Sequence, residues 1–185
     1  MNYEEMLQHS EASDHGRRIV SELEQAIKES FANTSTDYPA LEIGNRDGGS
    51  AIVTIYYIGL VEPRRKFVSV DSGACPARIT EWTGKLGIPH QHFQMPQADF
   101  VKDDKTEWGF IFLDADHGYE TVKRDMEILA PRLAKGGIMV VDDVHEWPEL
   151  PVIEGLERIE LKVDEGDRDW SNTKTGHHVA FWRKI

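Results

Sequence analysis

After residue 36 the chain returns, at regular intervals, to short apolar runs at residues 40–43, 67–70, 91–93, 110–113 and 138–141. Each run has the length of a buried strand, and most of the intervals between them have room for a helix. Parallel neighbours need a crossover of a dozen or more residues, whereas antiparallel ones need only a tight turn. The alternation therefore predicts an α/β fold with a doubly wound, mostly parallel sheet and helices on both faces. Two last runs, 159–163 and 178–182, flank a polar loop and predict an antiparallel hairpin closing one edge.

Helical spacing fills the gaps. Val122, Met126, Leu129 and Leu133 form a stripe that Lys135-Gly136-Gly137 is expected to terminate. Residues 51–60 carry Ile52, Val53, Ile55, Tyr56 and Tyr57, which favour a strand, yet they occupy the place of the first crossover and are read as a helix. Residues 3–31 read as helical, with Ile19, Leu23, Ile27 and Phe31 on one face. Residues 1–36 are thus expected to pack on or cap a domain formed by residues 37–185, and 185 residues suit one structural domain overall.

Composition excludes several classes of function. With 39% apolar and 29% charged residues the chain has a soluble globular balance, and no apolar stretch reaches the ~20 residues of a bilayer span. The start, Met1-Asn2-Tyr3-Glu4-Glu5, is acidic where a secretory signal is basic. Cys75 is the single cysteine, so no internal disulfide and no thiolate zinc cluster can form. A cytoplasmic location is expected, with no membrane partner. The net charge of -12, relieved only by Arg64-Arg65-Lys66, argues against a nucleic-acid partner.

The residues suited to chemistry sit where the strands end. Leu41-Glu42-Ile43-Gly44-Asn45-Arg46-Asp47-Gly48-Gly49-Ser50 closes the first strand and opens the first helix, with glycines where the backbone turns against a ligand. It is neither Gly-x-Gly-x-x-Gly nor a Gly-Lys-Ser/Thr loop, so dinucleotide and triphosphate readings lose their support. The next strand ends in Ser69-Val70-Asp71, whose carboxylate suits the two hydroxyls of a ribose. Further on, Leu113-Asp114-Ala115-Asp116-His117 and Val141-Asp142-Asp143 place acids at one rim, an arrangement suited to a hard divalent cation. Helix caps and surface acids are the plain alternative for any one of them.

Together these segments, with Lys135-Gly136-Gly137-Ile138 leading to Asp142-Asp143, resemble the class I S-adenosylmethionine-dependent methyltransferases over residues 39–147. Within that class they resemble the cation-dependent O-methyltransferases and the small-molecule-tailoring branch. The resemblance implies a Rossmann-like fold, S-adenosylmethionine as cofactor, and Mg²⁺ or another divalent cation. It implies Glu42, Gly44, Gly48 and Ser50 at the methionine end, Asp71 on the ribose, and Gln97, Ala98 or Asp99 near the adenine. Asp114 is implied in cofactor binding and catalysis, and Asp114, Asp142 and Asp143 as metal ligands.

His117 stands where many relatives carry a lysine, and an imidazole there suits a general base. The expected reaction is methyl transfer to a hydroxyl of a small-molecule acceptor. A metal-independent N- or carboxyl-methyltransferase, or a non-catalytic nucleoside-binding domain, are the alternatives the residues leave open. Trp147, Trp170, Trp182 and His145 are further candidates near the acceptor, and residues 164–175 are a candidate flap. The chain has little room for a large capping insertion, so the acceptor site is expected to be either open or completed by a second subunit in a homodimer.

Overall fold

The computed structural model describes residues 1–11, 16–160 and 179–185. Its helices are α1 (Tyr3–Glu11), α2 (Gly16–Asn33), α3 (Gly49–Ile58), α4 (Ala77–Leu86), α5 (Gln97–Asp103) and α6 (Tyr119–Leu129). Its strands are β1 (Ala40–Ile43), β2 (Phe67–Asp71), β3 (His90–Gln94), β4 (Trp108–Leu113), β5 (Leu133–Val141), β6 (Leu156–Ile159) and β7 (Ala180–Lys184). All seven strands form one sheet in the order β3-β2-β1-β4-β5-β7-β6. The first five run parallel, while β7 is antiparallel to both β5 and β6. The expected doubly wound α/β sheet with an antiparallel C-terminal hairpin is the observed one.

That order has a consequence for function. The chain winds outward from β1 to β2 and β3, then returns to lay β4 on the other side of β1. Helices leave the ends of β1 and β4 toward opposite faces, which opens a crevice at the carboxyl ends of those two strands. Gly44 follows β1 there, and Asp114 follows β4.

α3 is helical in spite of its β-branched residues. Gly48, in the left-handed conformation at φ 84°, starts it, and all its residues except Tyr56 are buried. β-Branched residues lose only a few tenths of a kcal/mol in a helix, whereas burying each of Ile52, Val53, Ile55 and Ile58 gains about 1.5–3 kcal/mol. The crossover from β1 to β2 supplies that burial.

The N-terminal helices also join the core. Met6 of α1 and Leu23, Ala26 and Ile27 of α2 pack in the same apolar cluster as α3 and one face of the sheet. Among the described residues no helix is long and apolar enough to cross a membrane.

One local expectation changes. Lys135-Gly136-Gly137 does not terminate a helix: α6 ends at Leu129, a 3₁₀ turn with Pro131 follows, and the glycines lie inside β5. They sit in a bulge where the β4–β5 register shifts between Trp108↔Leu133 and Phe110↔Ile138. A Cβ on Gly136 would come within 2.9 Å of the Asn33 carbonyl oxygen, and one on Gly137 within 2.7 Å of that of Gly109. Glycine is there so that the bulge can pass the end of α2 and the start of β4. Of the runs expected to form the hairpin, residues 161–163 and 178 lie outside the described residues; the described strands are β6 (Leu156–Ile159) and β7 (Ala180–Lys184), and β6 forms the edge.

Candidate active site

The crevice holds a cavity of about 890 Å³, a size that suits a nucleoside-bearing ligand. It runs from Pro96 and Gln97 beyond β3, past Asp71 and Ser72 at β2 and Gly44 and Arg46 at β1, to residues 114–117 after β4 and Asp142 and Asp143 after β5.

Gly44 is the residue on which this geometry depends. Its φ is 90°, and a Cβ would lie 2.1 Å from the carbonyl oxygen of Asp114. The chain leaving β1 thus passes directly against the chain leaving β4, which only glycine permits. Beneath the loop, Glu42 is fully buried and accepts a hydrogen bond from Ser50 Oγ at 2.8 Å, tying β1 to the first turn of α3. Gly48 packs on Ile79 and Arg78. Glu42, Gly48 and Ser50 therefore shape the loop from below, and the cavity lining passes through Gly44 and Arg46 instead.

Asp71 organises the next segment. Its Oδ2 accepts the backbone N–H groups of Asn45 at 2.8 Å and Arg46 at 3.0 Å, and its Oδ1 accepts that of Gly73 at 2.7 Å. Burial alone would push this carboxyl up, but the Gly73, Arg46 and Asn45 amides outweigh it and hold the group below the usual carboxylate range. The side chain expected to meet a ribose also fastens the loop after β1.

Ala98 is exposed on α5 and is not part of the lining; Pro96 and Gln97 form that wall. Gln97 bridges two elements, donating from Nε2 to Asp125 at 2.6 Å and accepting the Asp116 N–H at 3.2 Å. Asp125, buried on α6, and Ser72 went unnoticed in the sequence. An acid at the centre of the Val122-Met126-Leu129 stripe was the available signal for Asp125.

At the far rim Asp114, Asp142, Asp143 and His117 line the same cavity. Asp142 is almost wholly buried and accepts the N–H of Asp143 at 2.8 Å. Asp143 adopts a left-handed backbone at φ 54°, a conformation that costs about 1–3 kcal/mol and gathers at functional sites. His117 Nδ1 lies 3.6 Å from Asp143 Oδ2, and His145 Nδ1 lies 3.7 Å from Asp143 Oδ1. Trp147 donates from Nε1 to the His117 carbonyl at 3.0 Å and meets Tyr119 edge to face.

Trp182 instead packs in the core and bonds the Pro151 carbonyl. Trp170 and the 164–175 segment lie outside the described residues.

These oxygen donors have the chemistry of a hard-cation site. Among the described residues no three His, Cys, Asp or Glu groups converge on one point. A hard cation bound there would take one or two of these carboxylates and complete its shell with water and substrate oxygens.

Comparison with known proteins agrees with this geometry. Residues 41–144, more than half of the chain, match the family model described as a methyltransferase domain. No curated protein matches. Among solved structures, the SAH-bound methyltransferase PaMTH1 of Podospora anserina superposes with a TM-score of 0.61 and 17% identity over 97% of this chain and 87% of that one. CalS11, a TDP-rhamnose 3'-O-methyltransferase of calicheamicin biosynthesis, gives 0.57 at 13% identity over 99% and 86%. The MycE methyltransferase in complex with Mg, SAH and mycinamycin VI gives 0.52 at 19% identity over 80% and 44%. At these identities the structures establish a shared fold, and the family match carries the assignment. The chain belongs to the methyltransferase-domain family and is an S-adenosylmethionine-dependent methyltransferase of class I.

Proposed function

We propose that the protein transfers the methyl group of S-adenosylmethionine to a hydroxyl of a small molecule, with a divalent cation that one or two of the carboxylates among Asp114, Asp142 and Asp143 would hold, water and acceptor oxygens completing its shell. The observation that carries this reading is the single cavity that joins Gly44 and Asp71 at one end to Asp114, His117, Asp142 and Asp143 at the other. Asp71, Pro96 and Gln97 would hold the nucleoside part of the cofactor, and the acids lie at the opposite end of the same cavity. When bound, the cofactor supplies an electrophilic methyl, and a cation would lower the pKa of an acceptor hydroxyl.

The chain's own work is orientation and proton removal. Asp143 faces His117 Nδ1, which leaves Nε2 to take the proton from the acceptor oxygen as the oxygen–carbon bond forms and the carbon–sulfur bond breaks. Trp147, through the His117 carbonyl, holds the loop that presents this ring. The O-methyltransferase CalS11 and the Mg-containing MycE complex, which share the fold, support the hydroxyl acceptor and the cation.

The test is S-adenosylmethionine binding by calorimetry with and without Mg²⁺, followed by an acceptor screen in Mg²⁺ and in excess chelator. Binding followed by chelator-sensitive turnover of a hydroxyl acceptor is the expected result. Full turnover in chelator removes the cation from the reaction and leaves His117 with Asp143 as the proton-handling pair. Turnover confined to amine or carboxylate acceptors removes the hydroxyl.

A further inference from the structure

We propose that His92 is a positioning residue for the cofactor site: backed by Ser69, it fixes the turn through Gly73 that aims the Asp71 carboxylate into the cavity. The proposal rests on the reading of Asp71 as the carboxylate that meets the cofactor.

The sequence of β3, His90-Gln91-His92-Phe93-Gln94, puts two imidazoles on one side of the strand. The β2–β3 register pairs Phe67 with His90 and Ser69 with His92, so Ser69 shares that face with both rings. Ser69 is fully buried. Its Oγ lies 2.9 Å from His90 Nε2 and 2.9 Å from His92 Nδ1. On its other side, His92 Nε2 lies 3.2 Å from the Gly73 carbonyl oxygen.

For neutral rings these contacts admit one arrangement of protons. A carbonyl only accepts, so His92 Nε2 carries the hydrogen; a neutral imidazole carries one, so His92 Nδ1 accepts from the Ser69 hydroxyl. With its own proton committed, Ser69 Oγ accepts from His90 Nε2–H. The bonds run one way, from His90 through Ser69 and His92 to the Gly73 carbonyl.

Gly73 then donates its own N–H to Asp71 Oδ1, while Asp71 Oδ2 holds the Asn45 and Arg46 amides. A chain of polar contacts that starts on the edge strand β3 thus ends on the carboxylate in the cavity. Gly73 is held at both its backbone N–H and its backbone C=O. His92 does not line the cavity, so it acts through the 71–73 turn and Asp71.

The experiment measures S-adenosylmethionine binding and thermal melting for the wild type, Asp71→Asn, His92→Leu and His92→Gln. Leucine fills the space without a donor, whereas the glutamine amide restores a donor to the Gly73 carbonyl. His92→Leu is expected to raise the cofactor Kd about five- to tenfold, the scale of one hydrogen bond, and to melt with the wild type. His92→Gln is expected to recover most of the affinity.

Wild-type affinity in His92→Leu, with Asp71→Asn impaired, overturns the positioning role alone. A His92→Leu defect that glutamine fails to restore, or one accompanied by lower melting, also overturns it. Unchanged binding in Asp71→Asn, or none in the wild type, overturns the cofactor reading itself and this proposal with it.

Discussion

The two ends of the cavity are built to different standards. At β1 and β2 the loop is fastened by three backbone amides on one carboxylate, at 2.7, 2.8 and 3.0 Å, and by a glycine packed against the next strand's backbone. At β4 and β5 the contacts between side chains are ion-pair distances of 3.6 and 3.7 Å, the His117 side chain is 47% exposed, and Asp143 is held in a left-handed backbone. The first end is preorganised by main-chain hydrogen bonds, which lose little when empty. The second carries several carboxylates and one residue in a left-handed backbone. On the proposed function the first end would take the cofactor and the second the acceptor.

The sharpest way to break this contrast is Gly44→Ala. With φ at 90° and a Cβ 2.1 Å from the Asp114 carbonyl oxygen, the substitution is expected to cost on the order of 3 kcal/mol or more and to abolish cofactor binding. Thermal melting and calorimetry would read both. Near-normal binding would show that the β1–β4 crossing is not what shapes the site.

Next in size is the pair Asp142→Asn with Asp143→Asn. Asparagine tolerates the left-handed backbone, so the fold and the cofactor affinity should survive while turnover falls by about a hundredfold or more, the scale of losing proton-transfer and electrostatic assistance. A matching loss of cofactor binding would mean that the two ends are not independent.

Asp71→Ala removes an acceptor for three amides and is expected to weaken S-adenosylmethionine binding about ten- to a hundredfold, as bonds to a charged group do. Calorimetry checks it. Asp143→Gly should separate strain from function: relief of the φ of 54° is expected to stabilise the fold by about 1 kcal/mol while turnover falls. Loss of stability instead would show that the Asp143 carboxylate holds the rim more firmly than its distances indicate.

The smallest effect is on pH. Because the folded Asp71 carboxyl lies below its usual range, its stabilisation is complete above the unfolded value, about 3.9, and disappears as pH falls through the lower folded value. The melting difference between wild type and Asp71→Asn should therefore be constant from about pH 5 to 7 and shrink below about 4.

Much of the fold was legible in the residues. The runs at 40–43 and 67–70 mark buried strands, and residues 51–60 form a helix because their place in the crossover outweighs their propensity. Lys135-Gly136-Gly137 misled, since glycines after a helical stripe look the same whether they end a helix or let a bulged strand pass another chain; Pro131 was the stop. The acids and glycines at strand ends were also legible. The bridging contacts of Gln97 and the contributions of Asp125, Ser69 and His92 were not, because each acts on a residue 19 or more positions away.

What the sequence determined by itself is therefore the period of its apolar runs and the chemical character of each strand end, both local properties of a few consecutive residues. The tertiary structure alone decided the strand order that places β4 beside β1, the crossing that makes Gly44 indispensable, and the fastening of Asp71. These depend on which distant backbone groups come within hydrogen-bond distance, and that is fixed by packing and register across the whole sheet.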